Sequence, residues 1–172
     1  MAEIRPVEIV AFNRALDRSD FRCGKPDLDG WFRTQAGQQE RADNTRTFVA
    51  IDPDREGLAG YYSTTTYRLD IDEVATAYGV GKRRYPVPAV LLARLAVDER
   101  FAGQGIGRQL LVHALAGIAE ASIHVGFEVV IVHAIDEEAV TFYARYGFTR
   151  FPGHRLHLMM PTKTLRASYE LP

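Results

Sequence analysis

Among its 172 residues the chain has one cysteine, Cys23, so the sequence offers neither an internal disulfide framework nor a multi-cysteine zinc site. Long apolar runs are also missing, and no stretch approaches the roughly 18 residues that a membrane span needs. The opening MAEIRPVEIVAFNRALDRSD is interrupted by charge every few positions, which argues against a secretory leader. No sign of charge dominates: the net charge is −1 and the pI about 6.5, so average charge does not mark a nucleic-acid binder. Repeats, low-complexity tracts and linkers are absent, so a single domain over residues 1–172 is expected. Apolar and charged fractions of 47% and 25% are those of an ordinary soluble protein, and a cytoplasmic one is expected.

Local patterns alternate between the two regular periods. Leu28, Trp31, Phe32 and Gln35 fall at helical spacing after Asp27, a candidate N-cap, predicting a helix over about 27–41. RTFVAI (46–51) reads as a strand closed by Asp52-Pro53-Asp54, and LAGYYSTTTYRL (58–69) as its hairpin partner. Residues 70–86 read as a polar loop with one possible helical turn. VPAVLLARLAV (87–97) has the near-continuous apolar character of a strand buried on both faces. Ile106, Leu110, Leu111, Ala114, Leu115, Ile118 and Ala121 then trace one apolar helical stripe. FEVVIVHAI (127–135) is a second buried strand. Ala139, Phe142, Tyr143 and Tyr146 define a short helix stopped by Gly147, and two short strands follow near 148–151 and 155–160. A hairpin joined to a βαβ unit gives a mixed α+β fold with a sheet of about six strands flanked by helices.

The stretch Arg100-Phe-Ala-Gly103-Gln104-Gly105-Ile106-Gly107-Arg108 links a strand to the mouth of a helix. Alternate glycines there let backbone N–H groups converge without side chains in the way, and the positive end of the helix lies behind them, so a diphosphate is the natural occupant. Arg100 and Arg108 add charge at either end. A Walker loop would need Lys-Ser or Lys-Thr after its last glycine, where Arg108-Gln109 stands. A Rossmann fingerprint would come early and read GxGxxG. A tight turn without a ligand is the remaining alternative.

Taken with AVTFYARYGF (139–148), the segment LARLAVDERFAGQGIGRQLL (92–111) resembles the GNAT superfamily of N-acetyltransferases. Arg100, Gly103 and Gly105 match its cofactor loop, and Phe142-Tyr143 before Gly147-Phe148 match its later Phe-Tyr element. Asp136 stands where many relatives carry Asn. The resemblance implies that acetyl-CoA is the co-substrate, without a metal. It implies that Leu95, Ala96 and Val97 splay from the neighbouring strand and offer backbone groups to the pantetheine arm. Gly103 to Arg108 would hold the pyrophosphate, and Phe142 would pack at the thioester end.

A narrower resemblance spans nearly the full length. Phe21-Arg-Cys23-Gly24, Leu28, Trp31-Phe32, Arg46-Thr47-Phe48-Val49, Gly60-Tyr61-Tyr62, Pro88 and Leu92 to Asp98 are similar to the acetyltransferase toxins of type II toxin–antitoxin pairs. That resemblance implies an aminoacyl-tRNA substrate, a ribbon-helix-helix antitoxin as partner, a homodimer, and Tyr143 as general acid, with Tyr146 as the alternative. A tyrosine hydroxyl, with pKa about 10, is protonated at neutral pH and can donate to a departing thiolate. No general base stands out, and an α-amino group titrating at about 7.7–8.0 needs no strong one. Lys82, Arg83 and Arg84, with Arg33 and Arg41, are the candidate tRNA contacts. Within the same fold, acetylation of a small amine, polyamine or protein amine stays open, as does a silent acetyl-CoA-binding module. The five histidines (113, 124, 133, 154 and 157) are spread over several elements and carry no GxSxG or HExxH context for hydrolysis.

Overall fold

The computed structural model describes residues 3–70 and 86–172. Its seven strands are β1 (Glu8–Ala11), β2 (Arg46–Ile51), β3 (Leu58–Leu69), β4 (Val87–Val97), β5 (Val129–His133), β6 (Thr149–Arg150) and β7 (His157–Pro161). They form one mixed sheet in the order β1-β2-β3-β4-β5-β7-β6. The helices among the described residues are α1 (Pro26–Thr34), α2 (Ala36–Arg41), α3 (Ile106–His124), α4 (Glu137–Ala144) and α5 (Thr162–Ser168), with a 3-10 turn at Glu99–Phe101. Strands β2, β3 and β4 begin and end where the apolar patterns do. β2 and β3 form the expected antiparallel hairpin, and β4 and β5 pair in parallel across the α3 crossover.

Several expectations need correction. The sheet has seven strands rather than about six, because Glu8–Ala11 pairs antiparallel with β2. The helix expected over 27–41 is two helices meeting at Gln35. It starts one residue earlier than expected, with Pro26 in its first turn and Lys25 rather than Asp27 at the cap position; proline suits that turn because its missing N–H would have no partner there. β4 is buried on both faces only in part, since Pro88 is exposed and several neighbours are half-buried. On α3, Ala121 is exposed and Ala119 takes the buried place. The C-terminal helix α5 is an addition to the elements that the sequence pattern predicts.

Two compact units make up the chain, Met1–Thr65 with Ala93–Ala114, and Thr66–Leu92 with Leu115–Pro172. In the first unit, Phe21, Phe32, Ala36, Val49, Leu58, Tyr61 and Ala96 form the core. Tyr61 is stacked on Phe32 at 4.1 Å, and its hydroxyl donates to the Leu28 carbonyl at 2.8 Å. Arg94 lies 4.0 Å over the Trp31 ring. A partly buried contact joins Tyr62 to His113, with Oη and Nδ1 2.7 Å apart. In the second unit, Leu69, Val87, Ala89, Val129, Ile131, Phe151 and Met159 pack together.

At Gly60, β3 lies close against the backbone of β4 in the first unit. A Cβ there would stand 2.7 Å from the Ala96 carbonyl oxygen and 2.8 Å from Leu110 Cδ1. The backbone atom cannot turn aside as a flexible side chain could, so the strands would have to part. Gly60→Ala is therefore expected to cost about 2–3 kcal/mol, as over-packing of a filled core does. By thermal denaturation this is a fall in Tm of roughly 5–10 °C. An unchanged Tm would mean that the two strands have room to separate.

Candidate active site

The glycine-rich segment lies wholly in the first unit. Asp98 follows β4 and caps the 3-10 turn after it. Its buried carboxylate accepts from the Arg100 amide at 2.9 Å, from Arg100 Nε and a terminal guanidinium nitrogen at 2.8 and 3.1 Å, and from the Arg22 amide at 3.0 Å. Burial pushes this carboxyl up, but hydrogen bonds from Arg100 and from the Arg22 and Arg100 amides outweigh it and hold the group below its ordinary value. The resemblance gives Asp98 no role, although an acid directly ahead of a helical turn is a capping signal. Arg100 is thus turned onto Asp98, and its charge serves the turn first; Arg108 is exposed.

Gly103 and Gly105 both adopt φ of +74°, a conformation that side chains disfavour. A Cβ on Gly103 would meet nothing within 4 Å, so the chain leaves open space on that side. Gly107 lies inside the first turn of α3. The Gln109 amide donates to the Gly105 carbonyl at 3.3 Å, closing the first turn of α3, so the amides of Ile106, Gly107 and Arg108 precede it without a helical acceptor. Exposed positive-φ glycine, free helix-start amides and an exposed arginine fit a diphosphate. Leu95, Ala96 and Val97 stand on the terminal part of β4, with Ala96 buried and its neighbours half-buried. The β4–β5 register runs from Ala89 with Val129 to Leu92 with Val132, and β4 itself continues to Val97.

Tyr143 and Phe142 lie in the second unit, on α4. Asp136 caps this helix by accepting from the Ala139 amide at 2.9 Å. The role requires only an acceptor oxygen, which asparagine also has. The helix ends at Ala144 with Arg145 as its C-cap, three residues before Gly147, which closes the following turn with φ of +93°. Tyr143 is 6% exposed, with its ring against Phe142 at 5.2 Å and Phe148 at 5.8 Å. Burial raises its pKa above the ordinary tyrosine value, so it keeps its proton at any physiological pH. Tyr146 is half-buried and meets Phe142 at 5.3 Å.

Other candidates separate. The Cys23 thiol is pushed up to about 12, chiefly by burial, which removes it as a nucleophile. Arg33 donates to the Phe21 carbonyl at 3.1 Å and so holds its own chain, while Arg41 is exposed at the end of α2. Lys82, Arg83 and Arg84 lie outside the described residues, as does the possible helical turn within 70–86. Three of the histidines are gathered rather than spread apart. His133 and His157 stack at 3.9 Å through strand pairing, which spacing in sequence conceals, and His154 and His157, the one close pair in the sequence, stack at 4.7 Å. Among the described residues no group of three or more His, Cys, Asp or Glu could hold a metal ion, and no helix is long and apolar enough to cross a membrane.

Residues 43–150 match the acetyltransferase (GNAT) domain family. The chain is 35% identical over 156 residues to a tRNA-acetylating toxin of Mycobacterium tuberculosis, covering 88% of this chain and 89% of that protein. Two solved structures share its fold over 95% of this chain. One is a tyrosine-to-phenylalanine mutant of the toxin AtaT bound to the C-terminus of the antitoxin AtaR and acetyl-CoA, 26% identical over 98% of its own chain with a TM-score of 0.78. The other is AtaT complexed with acetyl-methionyl-tRNAfMet, 27% identical over 99% of its chain with a TM-score of 0.81.

Proposed function

The chain belongs to the GNAT acetyltransferase family, and we propose that it is a toxin whose acceptor is the α-amino group of an amino acid charged on tRNA. The observation that carries this reading is the 35% identity to a tRNA-acetylating toxin across 88% of the chain. Acetylating that amine removes the nucleophile that peptide-bond formation requires, so translation stops. We infer further that the protein is cytoplasmic, forms a homodimer and is restrained by a ribbon-helix-helix antitoxin.

Acetyl-CoA supplies the acetyl group as a thioester. The amides of Gly103 to Arg108 would hold its pyrophosphate, Leu95 to Val97 would bind the amides of the pantetheine arm, and Phe142 would flank the thioester. As the amine nitrogen bonds to the acetyl carbon, the carbon–sulfur bond breaks and Tyr143 protonates the leaving sulfur. The proton lost from the amine passes to solvent and restores the tyrosine. Of the proposed tRNA contacts, Arg41 has a free approach from solvent. Arg33 is committed to the Phe21 carbonyl, so its contribution is one of charge. Lys82, Arg83 and Arg84 supply the remaining positive charge.

Label transfer from acetyl-CoA into bulk charged tRNA, uncharged tRNA and a polyamine–peptide mixture tests the acceptor. Label on charged tRNA alone, released by mild deacylation, is the expected result. Label on polyamine or peptide instead would place the acceptor elsewhere and leave only the acetyltransferase.

A further inference from the structure

The first unit holds a second contact on the glycine-rich segment, made by residues close to the start of the chain. The Arg5 amide donates to the Gln104 carbonyl at 3.0 Å. Gln109, in the first turn of α3, reaches back with its side-chain amide. Its Nε2 donates to the Arg5 carbonyl at 2.7 Å and to the Gly105 carbonyl at 3.3 Å, and its Oε1 accepts from the Val7 amide at 3.2 Å. Ile4 packs on the same side, with Cγ2 3.4 Å from where a Gly105 Cβ would stand. Arg5 is further tied by an ion pair to the buried carboxylate of Asp52.

This strap touches the segment through carbonyl oxygens, and that decides where its N–H groups point. A peptide unit is planar and trans, so its N–H points opposite to its C=O. Holding the Gln104 carbonyl toward Arg5 turns the Gly105 N–H away from the strap. Holding the Gly105 carbonyl toward Gln109 does the same for the Ile106 N–H. The Gly105 carbonyl is also held by the Gln109 backbone amide, so the helix shares in fixing the Ile106 N–H. The Gln104–Gly105 peptide, next to a glycine whose φ of +74° lies where glycine is least restrained, depends on the strap and would sample several orientations without it. An anion site made of amides gains most when they are aimed before the ligand arrives.

We infer that Gln109, with the residue 4–7 strap that it anchors, is a positioning device that aims the Gly105 amide, and reinforces the helix in aiming the Ile106 amide, at the pyrophosphate of acetyl-CoA. The inference rests on the acetyltransferase reading of the site. Its signature is selectivity for the diphosphate: the device helps a ligand that has one and gives nothing to a ligand that lacks it.

The test compares Gln109→Met, which keeps side-chain length without the hydrogen bonds, with wild type. Calorimetry should show the Kd for CoA rising roughly five- to twenty-fold, the effect of two or three lost hydrogen bonds. The kcat/KM for acetyl-pantetheine, which has no diphosphate, should stay within about two-fold of wild type, and kcat at saturating acetyl-CoA should be unchanged. Gln109→Glu places a carboxylate against two carbonyl oxygens and near the diphosphate, so it should weaken CoA binding further than Gln109→Met. Either variant suffices should the other not fold. Equal losses with acetyl-CoA and acetyl-pantetheine would overturn the inference and reduce Gln109 to a general stabiliser, and so would an unchanged Kd for CoA. Absence of CoA binding by wild type would instead overturn the acetyltransferase reading beneath it.

Discussion

Replacing Tyr143 by phenylalanine is expected to lower kcat roughly 10²- to 10³-fold while the KM for acetyl-CoA stays within about two-fold, the pattern of a lost proton donor rather than a lost binding contact. The ring would remain between Phe142 and Phe148, so a large fall in Tm is not expected. The pH dependence sharpens the test. Burial raises the Tyr143 pKa above about 10, so the acid form persists throughout the neutral and mildly alkaline range. The wild-type rate should therefore rise with pH as the acceptor α-amino group loses its proton near 8, then level off without a falling limb below about pH 10. In Tyr143→Phe the rising limb should survive at a lower plateau, because the acceptor titrates and not the enzyme. Initial rates on freshly charged tRNA, taken over seconds to outrun deacylation, give both curves. Undiminished turnover would move the role to Tyr146, which meets Phe142 from the next turn.

Much of this arrangement is legible in the residues alone, for identifiable reasons. β2, β3 and β4 carry strong apolar patterns and end where those patterns end, and α3 starts where its apolar stripe starts and runs three residues past it, to His124. The features that escape a sequence reading have weak local signals. β1 is four residues with two exposed, and its strand state comes from pairing with β2 rather than from its own composition. The break at Gln35 has only Gly37, two residues on, as a local signal, and Phe32 and Ala36 are fully buried on either side of it. The glycine-rich segment is legible as a turn, and two of its glycines do take positive φ, but its supports lie far away in sequence. Gln109 acts through Arg5 and Val7, and no spacing rule connects position 5 to position 109. Gly60 and Tyr61, which in the sequence are only tokens of a resemblance, have physical reasons in the fold. One permits a close strand approach and the other stacks in the core.

Asp98 should prove the most sensitive residue outside the chemistry itself. Its carboxylate gathers the Arg100 guanidinium and two backbone amides, one of them from far back in the chain at Arg22, and its side chain is 1% exposed while that of Arg100 is 47% exposed. Truncation to alanine removes charge-assisted hydrogen bonds and leaves the Arg22 and Arg100 amides to find other partners. A loss of about 2–3 kcal/mol is expected at pH 7, read as a Tm lowered by roughly 5–10 °C. The same change frees the 3-10 turn from which the glycine-rich segment departs, so the Kd for CoA should rise about ten-fold in protein that remains folded. The two effects separate by pH. The folded-state pKa of Asp98 is depressed, so its stabilisation is present above the unfolded value of about 3.9 and fades as pH falls through the folded value. Urea denaturation should therefore give a wild-type advantage over Asp98→Ala that is full at pH 7 and shrinks below about pH 4. Asp98→Asn retains one acceptor oxygen but turns an amide donor toward the arginine, so it should recover little of the loss at pH 7. An advantage that persists undiminished into acid would mean that Asp98 contributes by packing and not by charge, and the segment would then take its shape from the strap and the glycines alone.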